Sequence, residues 1–167
     1  GTIIMKTTKK MTFDRLESRD VPAVFGNPWQ QATNLTVSFA ADGVQYSNQT
    51  WGQTNYPNNL FSLFNYLTPT NVWQGEILRA VYDWTAKSNT NVGLVADTGL
   101  NFGIKDITPG VINSTFRIGA VYNSNDVVAT SMPNNPVVGE YAGTVMFNEN
   151  FVFTVGGYFG TYDIYSI

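Results

Sequence analysis

Apolar residues recur along this chain with two distinct periods. Leu35, Val37 and Phe39 alternate with Thr36 and Ser38, the period-two pattern of a strand buried on one face. Leu60, Phe61, Phe64 and Leu67 recur at helical spacing ahead of Pro69, which predicts a short helix that the proline terminates. The strongest periodic run is TNVWQGEILRAVYDWTAKSN, residues 70–89. In it Trp73, Ile77, Ala80, Val81 and Trp84 fall on one stripe, so a helix over 71–87 is predicted, with both tryptophans anchoring it against a sheet. Asn71 stands as N-cap with Gln74 as its capping-box partner, Glu76 and Lys87 complement the macrodipole, and Asp83–Lys87 makes an i,i+4 pair.

Four more runs read as strands: NVGLVAD (91–97), TFRIGAVYN (115–123), GTVMFNE (143–149) and FVFTV (151–155). Residues 41–59, rich in Gly, Asn and Gln, read as a loop. The order strand, helix, strand, strand, strand predicts an α/β (α+β) fold: a twisted mixed sheet of about four to five strands with one main helix packed on it. No internal repeat is evident.

Charge divides the chain unevenly. Residues 1–20 carry five basic side chains (Lys6, Lys9, Lys10, Arg15, Arg19) against three acidic ones, whereas from Val21 onward there are four basic and nine acidic. A basic leader over 1–26 therefore precedes an acidic body over 27–167, and Met5 and Met11 are both candidate starts. The body has no basic footprint for nucleic acid and no apolar run long enough for a transmembrane helix.

The chain has no cysteine and no histidine. That excludes disulfides, Ser-His-Asp and Cys-His nucleophile pairs and any imidazole zinc site built from these residues alone. A metal held by this chain would need carboxylate and carbonyl ligands, a calcium-like set to which Asp126, Glu140 and Asp163 are candidates, without D-x-D-x-D-G spacing. Asp97-Thr98-Gly99 has the local look of an aspartic-protease turn, but that chemistry needs a second carboxylate from another such turn or a dimer. The alternative is a strand-to-loop turn in which Asp97 bonds nearby backbone and Gly99 takes positive φ. Glu140 and Glu149 flank one strand without being brought together by spacing, and Gly156, Gly157 and Gly160 lack nucleotide-loop spacing. Asn34, Asn48 and Asn113 head glycosylation triplets that an Asn/Thr-rich chain produces by chance.

Taken together, the segments resemble the N-terminal part of bacterial matrixin-type zinc metalloproteases, of the metzincin group. Trp73, Ile77, Ala80, Trp84, Asn89 and Asn91 match a W-x3-I-x2-A-x3-W helix leading to a strand. Phe116-Arg117-Ile118-Gly119 resembles the D-I-R-I-G strand, Ala129 and Pro133 the L-A-x-A-x-x-P loop, and Gly143, Val145, Phe147 and Asn148 the G-D-I-x-F-N edge strand. Asp163-Ile164-Tyr165-Ser166-Ile167 resembles the lead-in to the H-E-x-x-H helix, whose two histidines bind zinc and whose glutamate is the general base.

The resemblance implies the scaffold of a secreted or cell-surface bacterial endopeptidase acting on protein or peptide substrates, with the zinc ligands beyond Ile167 and no catalytic residue in this chain. It implies that Thr144, Val145, Met146, Phe147 and Asn148 form the strand that pairs with the substrate backbone. Thr130 and Thr144 stand where animal relatives have His and Asp, so no structural zinc is expected. LESRDVPA resembles a segment near the N-termini of exported bacterial proteins. A fragment of this kind is expected to leave part of one sheet face bare. The alternative is a non-catalytic secreted β-rich binding or surface module.

Overall fold

The computed structural model describes residues 27–48, 53–86, 88, 90–158 and 160–166. The leader over 1–26 and the expected Asp83–Lys87 pair lie outside the described residues. The architecture is mixed α/β. Its centre is a five-stranded sheet in the order β4-β1-β5-β7-β6, built from β1 (Asn34–Phe39), β4 (Asn91–Leu94), β5 (Phe116–Val121), β6 (Ala129–Ser131) and β7 (Thr144–Asn148). β4, β1, β5 and β7 run parallel, and β6 closes one side antiparallel to β7. Two helices, α1 (Leu60–Asn65) and α2 (Thr70–Thr85), and two small ribbons complete the fold.

One face of the sheet is apolar. Leu35, Val37, Phe39, Val92, Ile118, Ala120 and Phe147 are buried there against Leu60, Phe64, Trp73 and Ile77 of the helices. The centre is aromatic: Trp73 meets Phe39 and Phe61 edge-on at 5.4 and 5.3 Å, and Phe64 meets Phe147 and Phe153 at 5.1 and 5.6 Å. Such offset and edge-on pairs add to the area burial of large rings. The Trp73 indole N–H donates to Asn65 Oδ1 at 2.8 Å, joining the end of α1 to the start of α2.

The helix starts differ from the capping pattern expected. α2 begins at Thr70 with Pro69 as its N-cap and no side-chain cap, so Asn71 and Gln74 form no capping box. Proline fits there because its missing N–H is not needed at a helix start. Glu76 lies beyond the first turn and pairs with Arg79. α1 is capped from a distance, since the Asp42 carboxylate accepts the Phe61 and Ser62 N–H groups, each at 2.8 Å. Trp73 is fully buried as expected, but Trp84 is 88% exposed and takes no part in the core cluster. Its ring borders a cleft with Asp83 and Tyr165.

The other face is closed by loops. The segment read as a loop over 41–59 folds into an antiparallel hairpin, β2 (Gln45–Asn48) with β3 (Gln53–Pro57). Its Tyr46 packs edge-on against Phe102 and Tyr141 at 5.8 and 5.7 Å, over Ala40, Val121 and Met146. The sheet's side chains on both faces are thus largely covered by the chain's own elements, with Phe116, Ala129 and Val145 on the helix face only half-buried. β1 is accordingly buried on both faces: Ser38, on the side expected to be solvated, is 1% exposed.

The stretch over 151–166 also differs in detail from the expectation. FVFTV contributes only β8 (Phe153–Thr154), paired parallel with β9 (Tyr162–Asp163), and Ile164–Ser166 is a single 3-10 turn packed on α2.

Candidate functional site

The segment Thr144–Asn148 was expected at an open edge. It is interior. β7 pairs with β5 on one side and β6 on the other, so its backbone groups are engaged in both directions and cannot accept a further strand. Val145 is half-buried and Thr144, Met146, Phe147 and Asn148 are buried. Phe147 packs in the aromatic core, and Met146 lies under the hairpin.

Asn148 has a structural task instead. Its Nδ2 donates to the Asn125 and Val127 carbonyls at 3.1 and 2.9 Å, and its Oδ1 accepts the Asn123 and Asn150 N–H groups, both at 3.1 Å. One side chain therefore fixes the connection from β5 to β6. Gly143, just before β7, has φ +80°, and a Cβ there would lie 1.9 Å from the Thr115 carbonyl oxygen, so the close approach of β7 to β5 requires glycine.

The open edge belongs to β6. Met132 N–H donates to Thr144 O at 2.8 Å and Val128 O accepts Asn148 N–H at 2.9 Å. By the alternation of an antiparallel ladder, Ala129 and Ser131 turn their N–H and C=O groups away from β7. Neither has a backbone partner among the described residues. The opposite edge is different. Asn91 of β4 donates to Thr33 O and Val95, just past β4, donates to Val37 O, which leaves the backbone groups of Val92 and Leu94 facing outward, and the Tyr82 hydroxyl donates to the Val92 carbonyl at 2.9 Å. A helix side chain blunts that edge.

Asp97 follows β4 and turns inward on the loop-covered face. Arg117, at the start of β5, donates from Nε to Asp97 Oδ2 at 2.8 Å and from Nη2 to Oδ1 at 2.7 Å, a bidentate pair nearly closed to solvent. Nη2 also donates to Leu100 O at 2.6 Å, and the guanidinium lies over the Phe102 ring at 4.4 Å. Ser38 Oγ donates to Asp97 Oδ2 at 3.1 Å and is 2.7 Å from Ser114 Oγ. Asp97 Oδ1 accepts the Gly99 N–H at 2.9 Å, with Gly99 at φ +71°. This is the strand-to-loop turn with an added cation partner. A carboxylate tied to a guanidinium is not half of a proton-sharing carboxyl dyad.

The remaining candidates are dispersed. Glu140 pairs with Lys105 at 2.6 Å, Asp163 accepts the Gly156 N–H at 3.0 Å, and Asp126 sits exposed in the β5–β6 connection. Among the described residues no three carboxylates converge in a metal-holding group. Glu149, at the far end of β7 from Glu140, accepts Asn59 Nδ2 at 2.9 Å. Burial pushes its pKa above the ordinary glutamate value; the Asn59 bond opposes that and the nearby Asp42 charge adds to it. Asn113 is committed to its own loop, accepting Asp106 N–H and donating to Asp106 O, both at 2.8 Å.

Sequence reasoning missed Asn58, a fully buried side chain with three hydrogen bonds. Its Nδ2 donates to Ala40 O and Ala41 O at 2.8 and 2.9 Å, and its Oδ1 accepts Ala120 N–H at 2.7 Å. It thus fills the gap at the carboxyl ends of β1 and β5, where ligands of open parallel sheets commonly sit. Nothing in its sequence surroundings marks it.

No helix among the described residues is long and apolar enough to cross a membrane. No protein-family model matches the chain, and no curated protein matches it.

Proposed function

We propose that this chain is the sheet-bearing scaffold of a secreted or cell-surface, zinc-dependent endopeptidase of the matrixin type. The reading is supported chiefly by the ordered resemblance of the segments between Trp29 and Ile167, those from Trp73 to Asn148 falling on or beside α2, β4, β5, β6 and β7 of one contiguous sheet-and-helix unit. The chain's own residues do not fit zinc, because histidine and cysteine are absent and no three carboxylates converge among the described residues. No catalytic step is therefore assigned to them.

What this scaffold offers a substrate is the free backbone edge of β6. An extended peptide laid beside Ala129–Ser131 would be held by main-chain hydrogen bonds, with side-chain pockets setting preference. This moves the substrate-pairing role from Thr144–Asn148 to the neighbouring strand. The coding sequence downstream of Ile167 tests the reading: it requires an H-E-x-x-H within about ten codons, and its absence overturns the protease assignment. The closure of both sheet faces by the chain's own elements favours a second reading, a non-catalytic β-rich binding or surface module that uses the same edge. Binding of extended peptides without cleavage by the natural full-length product would select it.

A further inference from the structure

Beneath the loop between β4 and β5 lies a small cavity of about 40 Å³, floored by Arg117 and Asp97 and walled by Thr98, Ser114 and Thr144. The exposed ion pair Lys105–Glu140 stands at its mouth, with side chains 59% and 53% accessible. Its hydrogen-bonding inventory is lopsided. Each carboxylate in the lining already has a cation partner: Asp97 is held by Arg117 and Ser38, and Glu140 by Lys105. The Asn113 side-chain oxygen is taken by Asp106 N–H.

The donors are not used up. Arg117 spends Nε and Nη2 on Asp97 and Leu100, and its Nη1, with two N–H groups, has no partner among the described residues. The Thr144 hydroxyl likewise has none, on a residue 3% exposed. Lys105 retains ammonium protons beyond the one directed at Glu140. At the floor of the cavity both Asp97 oxygens are taken while Arg117 Nη1 stands open, a balance that suits a ligand that accepts.

We propose that this cavity is a binding site for a small monocarboxylate anion of formate size, held by Arg117 Nη1 and the Thr144 hydroxyl with Lys105 as a movable latch. A planar guanidinium edge suits a planar carboxylate. The volume has room for roughly three heavy atoms, given that one water needs about 10–15 Å³ of such space. Lys105 reaches the ligand by leaving Glu140, so Glu140 competes with the anion for the same ammonium.

The test uses the full chain, ¹⁵N-labelled, titrated by NMR with sodium formate and separately with sodium benzoate at matched ionic strength. Benzoate carries the same carboxylate and is too large for the cavity. Formate is expected to shift the Arg117 side-chain and Thr144 resonances saturably, with a Kd on the order of 1–10 mM for so small a ligand, while benzoate leaves them in place. Glu140→Gln should tighten formate about threefold or more by releasing Lys105. Thr144→Val should weaken it, and Arg117→Lys should abolish it while keeping a positive partner for Asp97. Should Arg117→Lys not fold, the Glu140 and Thr144 variants carry the same test. Equal shifts with formate and benzoate, or formate affinities unchanged in both Glu140→Gln and Thr144→Val, overturn the proposal.

Discussion

The two faces of the central sheet are closed by different means. On the helix face, Trp73, Phe64, Phe147 and Phe153 interlock as rings with little polar content. On the loop face, a thin apolar cluster around Tyr46 and Phe102 is flanked by keyed polar groups: Asp97 with Arg117, Ser38 with Ser114, and Asn58 with three backbone partners. Ring packing tolerates graded damage, because neighbours partly fill a cavity. A buried polar key fails unevenly, since removing one member strands the other. The loop face can therefore hold irregular chain in one conformation with little apolar area, at the risk that single changes uncouple it.

The largest expected effect is on the helix face. Trp73→Ala should cost about 3–5 kcal/mol in denaturant unfolding, with little dependence on salt or pH. Arg117→Met on the loop face should cost about 3 kcal/mol by stranding Asp97. Pairing it with Asp97→Leu should recover part of that loss, whereas no second truncation rescues Trp73→Ala. A double-mutant cycle showing additive losses at 97 and 117 would erase the contrast between the faces. Asn58→Ala should cost about 2 kcal/mol and raise amide exchange at Ala120, whose N–H loses its acceptor.

A smaller effect has a pH signature. Burial raises the Glu149 pKa above its unfolded value. For a carboxyl shifted upward, the associated stability is complete below the ordinary glutamate pKa and is lost as pH rises through the folded value. Glu149→Gln should therefore stabilise the protein near neutral pH by about 0.5 kcal/mol or less, given its partial exposure. That advantage should vanish on acidification below pH ~4. Unfolding curves at the two pH values check it. The smallest effect belongs to Trp84, whose 88% exposure makes Trp84→Ala neutral to within about 0.5 kcal/mol.

The helix face was largely legible in the sequence, because its periodicity is local. Val37, Phe39, Trp73 and Ile77 are buried as their spacing implies. Trp84 misled for the same reason: helical period shows which side a residue takes, and not whether the core reaches it. The loop face was not legible. β2 and β3 are written in polar residues, QYSN and QTNYP, whose pairing depends on a tertiary anchor at Tyr46. Ser38 read as solvated because alternation alone cannot reveal a loop arriving from residues 95–115. Asn58 read as a loop residue and Asn148 as a strand residue facing substrate, since the partners that reveal their bonding roles lie many residues away. Thr144–Asn148 read as an edge strand and lies one strand in from the edge, because ATS at 129–131 is too short to register as a strand.

Tyr82 has a consequence for how copies of this chain can associate. Each unpaired edge of a sheet is one valence for joining another sheet. Within the central sheet, the Tyr82 hydroxyl occupies the outward Val92 carbonyl of β4 while β6 is open, so edge-to-edge joining through this sheet favours β6 and ends at a pair. Tyr82→Phe removes one oxygen from a half-exposed side chain and leaves the core untouched. It should nonetheless make the molecule divalent, and a divalent unit polymerises. Light scattering that grows with concentration and time in Tyr82→Phe, against a plateau in the parent, would register that change; identical traces would show that the hydroxyl does not limit assembly.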